Sequence, residues 1–223
     1  MLPFSSTKES TNYARLCRLI VDVGTRVLRE AFDKIHPPGN LCSVLKGASV
    51  HTALQTLRKK RILNAAQWEK LYPAIPTSVL STHFDITLLV VLLRNICLLA
   101  PPAKGWNDLP SATEMTLEAD IARIKFYRNT VYAHANQASV DDPTFSRHWK
   151  DIRDTLVRRG GSSYEAAIDS LANDSMDPEI EEHYKELLQQ WKHDDDSIKD
   201  MIDKLDKKLD DLVNPEKRPR LTG

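Results

Sequence analysis

Phe84-Asp85-Ile86-Thr87-Leu88-Leu89-Val90-Val91-Leu92-Leu93-Arg94-Asn95-Ile96-Cys97-Leu98-Leu99 is apolar on nearly every side when wound as a helix. A helix without a polar face has to be covered by other elements, so the stretch reads as the central buried helix of a bundle. Its uninterrupted apolar part, Ile86 to Leu93, is far below the roughly 20 residues needed to cross a bilayer. Arg94 and Asn95 interrupt it. A buried cation is costly unless paired, and Glu118 and Asp120 are the expected partners, either fixing helix register or contributing to a phosphate pocket.

Outward from this stretch the helical period dominates, and no strand-like alternation stands out. Leu16, Leu19, Ile20, Val23, Val27, Leu28 and Ala31 predict a helix over Tyr13 to Phe32, stopped by His36-Pro37-Pro38-Gly39. A shorter helix is expected over Val50 to Lys60. Asn64 is placed to cap another through Trp68 and Leu71, ended by Pro73 and Pro76. Thr116 to Ala135 follows the proline-rich loop 101–111, with Glu118 and Asp120 suiting the positive end of its dipole. Asp141, Asp142 and Pro143 open the next helix, Gly160 and Gly161 stop it, and Tyr164 to Leu171 closes the bundle.

From about Asp177 the composition changes. Ile180, Tyr184, Leu187, Trp191, Ile198, Ile202, Leu205, Leu209 and Leu212 form a narrow apolar stripe on a very charged helix, the pattern of a coiled-coil seam. The expected organisation is a flexible N-terminus (1–11), an all-α helical bundle (12–172), a long amphipathic helix (177–213) and a disordered tail (214–223). The stripe is expected to pack on its own domain or on a twin, and it also offers a surface to a protein partner.

Lys plus Arg and Asp plus Glu are both 31, so the net charge is zero and any nucleic-acid contact should be local rather than a broad basic face. Cys17, Cys42 and Cys97 have no CxxC spacing and read as reduced thiols; no zinc module can be built from them. No cofactor is expected. The polar start lacks a signal core, so the expectation is a soluble cytoplasmic protein without a membrane contact, its Lys217-Arg218-Pro219-Arg220 run leaving a nuclear address open.

The chemistry-bearing stretch is Lys125-Phe126-Tyr127-Arg128-Asn129-Thr130-Val131-Tyr132-Ala133-His134. An arginine grips phosphate bidentately and keeps its proton, while a histidine moves protons near neutral pH. Histidine can take the proton of a ribose 2′-hydroxyl, and arginine can stabilise the crowded phosphate, leaving a cyclic phosphate without a metal. Asn129 would orient the histidine or donate to phosphate. Yet six residues at about 100° each turn the side chains through about 240°, so Arg128 and His134 do not share a face of a regular helix. Either the helix loosens near Ala133, or the residues of two copies meet across a symmetric interface. The plain alternative is that Arg128 pairs with Glu118 or Asp120 and His134 merely ends the helix. His36, His51, His83, His148, His183 and His193 have no metal-site spacing.

Arg128-Asn129 with His134 is similar to the Arg-x(4–6)-His motif of HEPN domains (higher eukaryotes and prokaryotes nucleotide-binding). The blocks Asn12-Tyr13-Ala14-Arg15-Leu16, Phe32-Asp33-Lys34-Ile35-His36-Pro37-Pro38 and Gln67-Trp68-Glu69-Lys70-Leu71-Tyr72-Pro73 extend the match. With Leu93-Arg94-Asn95-Ile96 and Ala119-Asp120-Ile121-Ala122-Arg123, they resemble the subtype named after the DAZ-interacting zinc-finger ubiquitin ligase. The resemblance implies an all-α bundle that dimerises with the motif at the interface cleft. It further implies Arg128 and His134 as the catalytic pair of a metal-independent endoribonuclease, with Asn129 supporting; Arg94, Asn95, Glu118 and Asp120 are, from the reading of the residues themselves, the expected substrate-binding or supporting groups. The other role it implies is a non-catalytic interaction or oligomerisation module in innate immune or ubiquitin-pathway signalling.

Overall fold

The computed structural model describes residues 7–134, 137–174, 176, 179–180, 182–184 and 186–187. Every regular element among them is helical: α1 (Lys8–Arg18), a π-helical segment (Leu19–Gly24), α2 (Thr25–Ile35), α3 (Leu41–Lys46), α4 (Ala48–Lys59), α5 (Ala65–Leu71), α6 (Ile86–Ile96), α7 (Leu117–Ala133), α8 (Asp142–Gly160) and α9 (Ser163–Asn173). The expected all-α bundle is the fold.

Local chemistry sets the boundaries. Thr7 caps α1 through Ser10, and Asn64 and Gln67 form a reciprocal capping box at α5. Asp85, Thr116 and Asp141 each accept a backbone N–H in the first turn of α6, α7 and α8. Gly161, at φ 91°, ends α8 in a conformation that side chains disfavour. Gly160 is needed for space, because a Cβ there would lie 2.4 Å from the Tyr164 ring. The hydroxyl of that ring in turn donates to Glu30 of α2.

Two features differ from the sequence expectation. The first helix is one long run from Lys8 to Ile35 interrupted by the π segment, and α3 follows the double proline where no helix was expected. The π segment carries Asp22, which accepts from Tyr184 at 2.5 Å. Tyr184 is buried against its own domain, whereas Ile180, the first residue of the C-terminal stripe, is exposed. Trp191 and the later stripe residues, and the tail, fall outside the described residues.

The core joins α1, α2, α6, α7, α8 and α9, and Leu41 and Leu45 of α3, Leu54 of α4 and Leu71 of α5 extend it. α6 is as buried as its composition requires, with Leu88, Leu89, Leu92 and Leu93 fully enclosed. Truncating one such leucine to alanine typically costs about 2–5 kcal/mol. α7 is the less expected centre: it buries Ala119, Ile121, Ala122, Ile124 and Val131 together with Asp120, Arg123 and Arg128. α7 packs on α8, and α2 packs on both α6 and α8. Among the described residues no helix is long and apolar enough to cross a membrane.

Candidate functional site

α7 carries polar groups at both ends and in the middle, and each set has different neighbours. Near its N-terminal end Asp120 is fully buried. Arg123 donates to Asp120 Oδ1 at 2.7 Å, and Arg158 grips both carboxylate oxygens at 2.9 and 2.7 Å. Arg159 Nε forms an ion pair with Oδ2 at 2.7 Å. Three guanidinium charges against one carboxylate leave an excess of two. Backbone carbonyls absorb part of it: Ser111 and Glu114 accept from Arg123, and Met115 from Arg159. The expected pairing of Asp120 with Arg94 is therefore corrected: arginines of α7 and α8 saturate this carboxylate, and its burial removes it from contact with any substrate.

Arg94 instead lies 5.5 Å from the centre of the Trp106 ring. Its Nε is buried without a hydrogen-bond partner, and burial lowers the guanidinium pKa. Asn95 is exposed and donates to Val91 O of its own helix at 2.7 Å. Glu118 is half-buried in the first turn of α7.

Arg128, in the C-terminal half of α7, is 4% exposed. It donates to Thr87 Oγ1 of α6 at 3.0 Å and to Asn129 Oδ1 at 2.9 Å, and lies 5.5 Å from the Tyr132 ring centre. Its partners are not the acids named from the sequence, because its side chain turns toward α6 rather than toward the start of the helix. Asn129 itself is exposed.

α7 ends at Ala133, and His134 is its half-buried C-cap with φ −84° and ψ 0°. The helix thus stops where loosening was expected, yet Arg128 and His134 still look in different directions. His134 faces α8. Tyr127 and His134 are seven residues apart, a displacement of only about 20° around a helix, so they share a side. Tyr127 meets α8 twice, donating to Asp151 at 2.6 Å and setting its ring 5.5 Å from that of His148.

His148 lies within electrostatic reach of His134. Burial, then Arg147, then His134 lower its pKa, with Asp151 and Asp141 opposing. Its Nδ1 is buried without a hydrogen-bond partner. Arg147 is exposed and is tied to no described residue by a hydrogen bond or ion pair. Between this end and the Asp120 cluster runs a cleft of about 330 Å³ lined by Tyr127, Asp151, Asp154, Arg123, Arg158 and Met115 among others. The contact of His148 with Tyr127 was illegible in the sequence because it depends on the register of α8 against α7. Spacing along the chain offered no metal-like pattern to flag His148.

An all-helical bundle with an Arg-Asn-x(4)-His segment closing a core helix is the architecture of a HEPN domain. The family model for DZIP3/hRUL138-like HEPN matches residues 38–184, and the chain belongs to this family. Residues of this chain are 28% identical over 152 positions to the E3 ubiquitin-protein ligase DZIP3 of Homo sapiens, covering 66% of the chain and 12% of that ligase. The Mus musculus ligase of the same name matches with the same identity and coverage. The chain thus corresponds to about an eighth of the length of these relatives. No solved structure matches it.

Proposed function

We propose that this HEPN domain binds RNA and cleaves it without a metal, with His134 as a proton-transfer group. The observation that carries the reading is the position of His134: the partly accessible C-cap of α7, in a segment whose Asn129 is exposed. Such a histidine can move a proton while the 2′-oxygen displaces the next nucleotide, and the neutral overall charge favours local phosphate contacts over a broad basic face. Self-association as a homodimer belongs to the same reading, since it would double the face along which an RNA strand lies.

The test is incubation of the purified chain with single-stranded and structured RNA in chelator, beside His134→Ala and Arg128→Ala. Cleavage with cyclic-phosphate ends, lost in His134→Ala at unchanged folding and mass, supports the enzyme. An inert wild-type protein on every RNA offered overturns it.

A second reading rests on the burial of Arg128, whose bonds to Thr87 and Asn129 make it a structural tie between α6 and α7 in this protomer. In that reading the domain is a non-catalytic interaction or oligomerisation module in innate immune or ubiquitin-pathway signalling. The matched relatives are named as ubiquitin-protein ligases, and the matched segment is a small part of each. The C-terminal stripe would then recruit a protein partner. Light scattering and co-purification of the chain with and without residues 188–223 test this reading; a monomer that captures nothing through that segment sinks it.

A further inference from the structure

Asp120 is saturated by its arginines, but they are not saturated by it. Arg158 meets the carboxylate along one edge, with Nε on Oδ2 at 2.9 Å and Nη2 on Oδ1 at 2.7 Å. Its end edge, Nη1 with the second hydrogen of Nη2, makes no bond to a described residue, and the side chain is 25% exposed. That edge is one on which a guanidinium takes a carboxylate through two parallel N–H bonds. Arg158 lines the cleft of about 330 Å³ between the 109–115 loop, α7 and α8. This volume falls at the low end of the roughly 300–1,000 Å³ of small-molecule sites.

One wall of the cleft is apolar, formed by Leu109, Pro110, Ala112 and Met115. The arginine cluster itself holds this wall, since the carbonyls of Ser111 and Glu114 accept from Arg123 and that of Met115 accepts from Arg159. The cleft is therefore built by the fold and does not need an occupant to form. Its other hydrogen-bonding groups are committed. Tyr127 donates to Asp151 at 2.6 Å, Thr155 to the Asp151 carbonyl at 2.8 Å, and Lys150 pairs with Asp154 at 3.2 Å. Arg158 is the lining residue with a free grip.

Charge then narrows what the grip can hold. The three guanidinium groups on Asp120 leave two positive charges over, to which Lys150 adds one. Asp151 and Asp154 on the α8 rim take two away, so one remains. A single negative charge balances it, and a second would meet the rim carboxylates.

We propose that this cleft binds a small, singly charged carboxylic acid, its carboxylate on the end edge of Arg158 and its apolar body against Leu109, Pro110 and Met115. The site is separate from the RNA reading, because Arg128, Asn129 and His134 do not line it.

The experiment titrates the full chain with hexanoate, acetate, hexylamine and hexyl phosphate at about pH 8, where the phosphate ester is a dianion. The Met115 methyl and Arg158 Nε–H resonances are followed by NMR. Hexanoate should shift both, saturably and at millimolar concentration. Acetate, without the apolar body, should bind at least about ten-fold more weakly. Hexyl phosphate should also bind more weakly than hexanoate, and hexylamine should leave the Arg158 resonance in place. Met115 is 58% exposed, so Met115→Glu should fold normally, and its own carboxylate should reduce hexanoate affinity at least about ten-fold by answering Arg158. Arg158→Gln should abolish binding; should it fail to fold, Met115→Glu still decides. Unmoved resonances with hexanoate in the folded wild type overturn the site. Equal affinity in wild type and Met115→Glu overturns its location. Tighter binding of hexyl phosphate, or equal binding of hexylamine, overturns the assignment of a singly charged carboxylate.

Discussion

The two ends of α7 carry similar residue types and do opposite things. At the N-terminal end three arginines gather on one buried carboxylate, and backbone carbonyls accept part of their remaining hydrogen bonds. At the C-terminal end His134 is a half-buried C-cap, and His148 of α8 packs on Tyr127 with its buried Nδ1 lacking a hydrogen-bond partner. The difference teaches that a charged residue's type says little about its role. What decides is whether its neighbours have already satisfied it: a satisfied buried group holds elements in place, whereas an unsatisfied accessible one can meet a ligand.

The comparison breaks most visibly at the closed end. Asp120→Ala leaves three arginines without their common acceptor, and the expected loss is about 3–5 kcal/mol in urea unfolding. A loss under about 1 kcal/mol would mean that water already serves these guanidinium groups, and the cluster would no longer contrast with the open end. Gly160→Ala probes the turn that carries Arg158 and Arg159 toward Asp120. Its new Cβ meets the Tyr164 ring at 2.4 Å, so a loss of about 1–3 kcal/mol is expected by thermal unfolding. An unchanged midpoint would show that the ring moves aside freely.

Tyr127→Phe acts between the ends. It removes the hydroxyl that donates to Asp151 at 2.6 Å, with an expected cost of about 1–2 kcal/mol. The ring stays, so the His148 contact should persist, and a nuclear Overhauser signal between the two rings checks it. The smallest effect is at the open end. The fold depresses the pKa of His148 below its ordinary 6.5, so the unfolded chain binds more protons there and stability falls as pH drops through and below that value. Replacing His148 by Gln should remove this part of the acid sensitivity and leave stability above pH 7 nearly unchanged. Parallel acid-unfolding curves for the two proteins would show that His148 is not held neutral by the fold.

Much of the fold was legible from local rules. The proline pair after Ile35, the Asn64 and Asp141 caps, and the glycines after Arg159 mark boundaries that the structure reproduces, because each acts through its own backbone. α3 was not legible, since Leu41–Lys46 is too short to display a helical period. The motif was legible as a motif and not as a site. The turn between Arg128 and His134 follows from helix geometry, but that Arg128 would find Thr87 on α6 depends on how two helices pack.

By itself the sequence determined an all-helical chain, its caps and stops, the buried character of α6, and the resemblance that places it among HEPN domains. Those properties are carried by neighbouring residues or by periodicity, and both are written along the chain. Only the tertiary structure decided that Asp120 gathers arginines from two helices, that Arg128 is enclosed, and that His148 of α8 packs on Tyr127 of α7. Each depends on the rotation and register of one helix against another. Those are set by the fit of many apolar side chains at once, and no single residue pattern encodes them.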